Sequence, residues 1–383
     1  MRSFQVLWPT TTIGVYFLLL AITSTTTDGL NIAITGSSQG IVLNAATRLI
    51  AEGHTVYHAC RNQERANVAR QESGGGIPMI CDLNDFHSIR HFSEQLIKKS
   101  TPENGGLDVL CLNAGIAPST KSTVPKLTKD GYEECIGVNH LGHFLLANLL
   151  KDHLLKESSS SSSSGNSGRI VITASSVHDP EGPGGAVGGK GGATLGDLSG
   201  LGINLTTDKK NNSEEPPTMP DGSITYDGGK IYKDSKLCNL LFMREAVKRW
   251  GGNNGNGSDN DNDGLQILSF NPGFIPSSGL FRAPREDNWF GATAFTFIAG
   301  VIGFAVPIEI GGGRLAYMAT VNTTKSSTTT DGIKNGSYFS ADVKSKGTTI
   351  EDGFDDQTTI SVEASNDDIA SQLWDISAKI VGV

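Results

Sequence analysis

Apolar residues fill positions 30–34 almost without a break, and the run ends in Thr35-Gly36-Ser37-Ser38-Gln39-Gly40-Ile41-Val42 before an amphipathic helical pattern begins. A short apolar segment bounded by a glycine turn reads as a strand buried on both faces, and the pattern behind it reads as a helix. Further apolar segments at 54–59, 77–80 and 107–112 recur with helical stretches between them. Strands alternating with helices predict an α/β fold of Rossmann type, a doubly wound parallel sheet. These elements use only part of the 383 residues, so the pattern predicts one domain over 28–383 enlarged by insertions. The insertions are a serine run near 157–168, a Gly-, Asn- and Pro-rich stretch at 179–225, and a Gly/Asn/Asp stretch at 251–264. None carries enough apolar surface to fold alone, and the first and third read as surface loops.

Chemistry enters at two places in this frame. The glycine turn lets backbone approach a pyrophosphate closely, and the helix behind it aims free N–H groups and its positive dipole end at the anion. Near the other end, Tyr232 and Lys236 stand one helical turn apart and face the same way. A free tyrosine titrates near ~10, so it works as an acid–base group at neutral pH only beside a fixed positive charge. The Tyr-Lys spacing alone is weak evidence, because such pairs also shield apolar helix faces. Cofactor choice is read at the end of the second strand, where an acid would bond a ribose 2′-hydroxyl and a base would pair with a 2′-phosphate. The sequence there is Ala59-Cys60-Arg61-Asn62, with Arg65 one turn later. Arg61 favours NADPH over NADH, and Arg65 is equally well read as a solvated helix charge.

In this order the motifs resemble the short-chain dehydrogenase/reductase family. Gly36, Ser38, Gly40 and Ile41 form the glycine turn, Asp82-Leu83 is similar to the family's adenine-contacting pair, and Asn113-Ala114-Gly115 matches the N-A-G that ends its fourth strand. The resemblance implies a catalytic tetrad of Asn139, Ser175, Tyr232 and Lys236, with Ser176 as the neighbouring alternative to Ser175. It also implies that Pro272, Gly273 and Ile275, after the sixth strand, line the cofactor site. In the mechanism so implied, Tyr232 delivers a proton while hydride reaches an apolar substrate. Lys236 holds the tyrosine's pKa down and bonds the nicotinamide ribose, Asn139 anchors a water, and Ser175 polarises a carbonyl. The stretch between Ser175 and Tyr232 begins and ends at this centre and reads as a lid.

Three passages resemble the light-dependent protochlorophyllide reductases within that family: 195–201, 227–239 and 271–282. Retinol-type dehydrogenases share the D-S-K-L-C-N run at 234–239 and remain the alternative, followed by a cofactor-binding protein without turnover. Two positions depart from the pattern. Val42 replaces the last glycine of the turn, which predicts weaker binding or a shifted turn. Phe274 stands where the reductases carry a cysteine, and it can stack on a flat or polyene substrate but cannot donate a proton.

Composition adds exclusions and a location. The net charge of −9 and the absence of a basic stripe argue against a nucleic-acid partner. Five scattered cysteines, with no C-x-x-C pair and no His/Cys metal spacing, read as buried thiols, with no metal site. Residues 1–27 combine Arg2, an apolar core at 13–22 and a hydroxyl-rich end, the pattern of a signal peptide or short anchor. The endoplasmic reticulum or secretory pathway is the first expectation, and a plastid entered through the reticulum is the alternative. A second apolar segment, 289–307, is broken by glycines. It reads as a pocket lid that dips into a membrane surface rather than a span, with a homo-oligomer surface as the other use. Lid or span, it implies a lipophilic small-molecule substrate.

Overall fold

The computed structural model describes residues 29–159, 168–182, 185, 192–206, 217–252, 264–281, 305–321, 333–341, 350, 354–355 and 359–383. Eight strands form one sheet in the order β3-β2-β1-β4-β5-β6-β7-β8. They are β1 (Asn31–Thr35), β2 (Thr55–Cys60), β3 (Ile77–Ile80), β4 (Val109–Leu112), β5 (Arg169–Thr173), β6 (Gln266–Asn271), β7 (Tyr338–Ala341) and β8 (Phe354–Asp355). All neighbours pair in parallel except β7 and β8. The order reverses between β1 and β4, and such a switch point opens a crevice at the strands' carboxyl ends.

Helices cover both faces, which is why β1, β4, β5 and β6 are buried along their whole length. On one face α1 (Gly40–Ala51) and a helix over Ile308–Thr320 bury Val42, Ala45, Leu49, Leu315 and Met318 against Ile32, Ile34, Val109 and Leu268. On the other lie α3 (Phe86–Lys99), α4 (Gly142–Ser159), α5 (Gly228–Trp250) and a C-terminal helix over Asp367–Val381. The short α2 (Gln63–Glu72) flanks β2 and β3; the two remaining helices are α6 (Ile308–Thr320) and α7 (Asp367–Val381). Starts are fixed by side-chain caps, which satisfy N–H groups that have no partner inside the helix. Asp85 caps α3, Asp227 caps α5 and Asn366 caps α7.

The first four strands fall where the apolar pattern places them, and β6 ends just before Pro272 and Gly273, where the resemblance puts it. β7, β8 and α7 were not anticipated; α7 packs Trp374 onto Phe144, Phe242 and Trp250 of α4 and α5. The middle insertion behaves differently from a loose lid in its described parts. Ala193, Leu195, Leu198, Leu201, Met219 and Tyr226 are buried in the same core cluster as α4 and α5. It is also pinned to α5: Asp234 accepts the Thr194 N–H at 3.1 Å, and Lys230 pairs with Asp221 at 3.1 Å and with Asp234 at 2.6 Å. The N-terminal segment 1–27, most of the serine run, the Gly/Asn/Asp insertion at 253–263 and the apolar stretch 289–304 lie outside the described residues.

Candidate active site

The carboxyl ends of β1, β2, β4, β5 and β6 open into a cleft of about 1380 Å³. Pockets for drug-sized ligands run to about 1,000 Å³, so this one has room for an extended ligand and a second one beside it. At its floor, Thr35 ends β1 and its hydroxyl accepts the N–H groups of Asn113 and Ala114 at 2.9 and 3.0 Å. That lashes the N-A-G turn to the glycine turn. Gly36 has φ +77, and a Cβ there would stand 3.0 Å from the Ala114 Cβ, so only glycine fits between the two turns. Gly40 has φ +63 and open space around it. Gln39, Gly40, Ile41 and Val42, at the start of α1, all line the cleft. Those features fit a bound pyrophosphate.

The remaining cofactor candidates follow along the same cleft. Gly36, Ser38, Gly40, Ile41, Arg61, Asp82, Leu83, Asn113, Ala114, Gly115, Pro272, Gly273 and Ile275 all line it, as does Arg65. Arg61 is exposed and Arg65 half-buried at the β2 end, with no acid between β2 and α2 before Glu64. Asn113 is oriented by Thr173, whose hydroxyl donates to Oδ1 at 2.8 Å. Val42, at the start of α1, is buried in the core cluster with β1 and α6 side chains and also borders the cleft.

Three of the four tetrad residues, Ser175, Tyr232 and Lys236, face the cleft. Ser175 and Ser176 both line the cleft beside Tyr232; Ser175 favours ionisation of the phenol and caps the short turn that Ser176 begins. The Lys236 ammonium lies 5.6 Å from the Tyr232 ring centroid and donates to the Thr173 carbonyl at 3.2 Å. Burial lowers the Lys236 pKa to about 8. The lysine's expected lowering of the phenol is not the dominant effect here. Burial pushes the Tyr232 phenol above its ordinary value, the Cys135 thiol adds to the rise, and Ser175 opposes it. That direction favours the protonated phenol, the state of a proton donor.

Asn139 stands one layer behind the cleft, fully buried. It sits on a π turn, Gly137–Leu141, that leads into α4, an irregularity frequent at functional sites. Its Oδ1 accepts the Ile116 N–H at 2.8 Å, and its Nδ2 donates to the Ile116 carbonyl at 2.9 Å and to Ser235 at 3.0 Å. A Cβ on Gly115 would lie 3.3 Å from Asn139 Oδ1 and 3.8 Å from Lys236 Nζ, so the asparagine and lysine flank one glycine. Asn139 therefore fixes the loop that carries Gly115 beside Lys236.

Sequence reasoning missed several residues that line the cleft, among them Cys60, Cys81, Glu133, Tyr226 and Lys233. Glu133 and Tyr226 meet across 93 positions of sequence, and no spacing rule links them. All five cysteines are free and buried, as expected, and among the described residues no His/Cys/Asp/Glu cluster could hold a metal. Phe274 lines the cleft and its carbonyl accepts the Val306 N–H at 2.8 Å, which brings the chain back beside the loop after β6.

Comparison with known proteins agrees with this geometry. Residues 30–187 match the short chain dehydrogenase family. Chloroplastic protochlorophyllide reductase A of Triticum aestivum is 34% identical over 360 residues, covering 92% of this chain and 80% of that one. Protochlorophyllide reductase of Avena sativa is likewise 34% identical over 360 residues, 92% and 99% of the two chains. Among solved structures, 3-ketoacyl-(acyl-carrier-protein) reductase from Brucella melitensis, complexed with NADH, superposes with a TM-score of 0.52 at 14% identity, covering 83% of this chain and 98% of that one. That last likeness is one of fold.

Proposed function

The chain belongs to the short-chain dehydrogenase/reductase family as a nicotinamide-dependent oxidoreductase, and from that premise we propose that it reduces a flat, lipophilic substrate of the protochlorophyllide type with NADPH, Tyr232 delivering the proton. The observation that carries this reading is that Ser175, Tyr232 and Lys236 line the same cleft as the glycine turn. When bound, NADPH supplies the hydride. Gly36, Gly40 and the start of α1 receive its pyrophosphate, Arg61 receives the 2′-phosphate that NADH lacks, and Asp82 and Leu83 receive the adenine.

The chain's own groups then act on protons and position. Tyr232 gives its proton to the substrate carbon or oxygen that becomes electron-rich as hydride arrives, and Lys236 stabilises the phenolate left behind. Lys236 itself is buried, which weakens solvent screening of its ammonium's field. For a carbonyl substrate Ser175 polarises the oxygen. For a carbon–carbon double bond it orients Tyr232, and illumination supplies the excitation.

A second reading, a retinol-type or other lipophilic carbonyl/alcohol dehydrogenase, is favoured by Phe274, which offers a stacking face but no polar hydrogen to the substrate. The chloroplastic relatives support a plastid destination over the reticulum for this chain. No helix among the described residues is long and apolar enough to cross a membrane.

The test is to mix the protein with NADPH and protochlorophyllide and record absorption spectra in the dark and after a flash. Product formed only after the flash supports the pigment-reductase reading. Bound NADPH with no product overturns it and moves the search to retinoids and lipophilic ketones.

A further inference from the structure

The catalytic scheme leaves one buried ionisable pair on the cleft wall without a role. Glu133 stands just before the turn that carries Asn139, and Tyr226 just before the cap of α5. Both line the cleft, and both are almost wholly buried. One Glu133 oxygen accepts the Ile136 N–H at 2.7 Å, and the other accepts the Tyr226 hydroxyl at 2.8 Å. The pair thus ties the turn that carries Asn139 to the start of the helix that carries Tyr232 and Lys236. A carboxyl needs no titratable partner for that duty, yet this one is poised between two states that offer the cleft different chemistry.

With Glu133 ionised, it can only accept, so the Tyr226 O–H is turned toward it and the phenol presents lone pairs elsewhere. With Glu133 protonated, the acid O–H can donate to the phenol oxygen, and the Tyr226 O–H is released to donate into the cleft. We propose that Tyr226 and Glu133 form a recognition point for a carbonyl oxygen of the lipophilic substrate, in which protonated Glu133 supports the phenol as donor. The inference rests on the reading of the cleft as a lipophilic-substrate site.

The surroundings agree with a carboxyl that changes state near neutrality. Burial pushes Glu133 up to about 7, against the N–H bonds from its own turn and the Tyr226 bond, with Glu134 adding to the rise. The Cys135 thiol beside it is itself pushed up by burial. Lys126, whose carbonyl accepts the Glu134 N–H, is solvent-exposed. Leu201, Leu205 and Ile231, packed behind the pair, bring no charge.

The experiment is calorimetric titration of the NADPH-bound full chain, in the dark, with two carbonyl probes: protochlorophyllide and the lipophilic ketone β-ionone. The range is pH 6 to 7.5, over which Lys236 stays mostly charged. Wild-type affinity should fall about two- to threefold as Glu133 ionises, and Tyr226→Phe should bind about fivefold more weakly at pH 6, the loss of one hydrogen bond. Glu133→Gln keeps an oxygen for Ile136 and places an amide donor toward Tyr226, so its affinity should stay at the wild-type pH 6 level throughout. A purely structural tie would lower stability in these variants without moving the pH dependence. NADPH affinity should be unchanged in both variants. The proposal is overturned if Tyr226→Phe matches wild type, if wild-type affinity is flat with pH, or if neither probe binds. Binding of β-ionone with the stated pattern, alongside no binding of protochlorophyllide, keeps the pair and sinks the pigment reading.

Discussion

Replacing Lys236 by methionine should make the protein more stable while it destroys turnover. The ammonium is 3% exposed, and burial brings its pKa from 10.5 to about 8. At about 1.4 kcal/mol per pKa unit, keeping that lysine charged at neutral pH costs about 3 kcal/mol relative to the unfolded chain. Methionine fills nearly the same volume and gives up only the bond to the Thr173 carbonyl, about 1 kcal/mol. The variant should therefore unfold about 2 kcal/mol less readily near neutral pH. Between pH 8 and 10.5 the unfolded chain holds the lysine proton more tightly than the folded one, so wild-type stability from this group rises with pH. The advantage of methionine should accordingly shrink by about 2 kcal/mol on going to about pH 9.5. Urea unfolding of the cofactor-free protein at the two pH values measures both terms. A variant no more stable than wild type, or an advantage that does not change with pH, would refute the reasoning.

Two further outcomes follow from the packing and charge. Val42→Gly restores the residue the family turn carries, but Val42 is buried between α1 and β1. Cavity and helix-propensity costs should lower stability by about 3 kcal/mol in a thermal melt, with NADPH affinity held within about twofold; a loss under about 1 kcal/mol would contradict the packing account. Arg61→Glu should weaken NADPH binding about ten- to hundredfold and leave NADH nearly unchanged, read by cofactor fluorescence. Equal losses for both cofactors would remove Arg61 from the 2′-phosphate site.

Legibility in the sequence followed the distance over which each feature is built. The glycine turn, the N-A-G turn and the Tyr232–Lys236 pair each lie within one element, so their spacing carries their geometry. The first four strands were legible for the same reason. Asn139 was named from the resemblance, but its place behind the cleft depends on a π turn, a hydrogen-bond register with no residue signature. The direction of the Tyr232 shift was hidden too, since it depends on how completely α5 is enclosed by the sheet and the insertion. That insertion reads as low complexity, yet isolated residues such as Leu195, Leu198 and Met219 are enough to dock it. For α7 the boundary signals are present, Asn366 at its start and Gly382 at φ +70 at its end. Its partners on α4 and α5 are remote in sequence, which is why its place in the core was not.

Proton delivery by Tyr232 is the central claim, and a single flash tests it most directly. Wild type and Tyr232→Phe are each loaded with NADPH and protochlorophyllide in the dark, flashed once, and followed by absorption at the cofactor and pigment bands. The account predicts equal NADPH binding in both, full conversion in wild type, and no reduced pigment in the variant. Reduced pigment formed by the variant at the wild-type rate would contradict it.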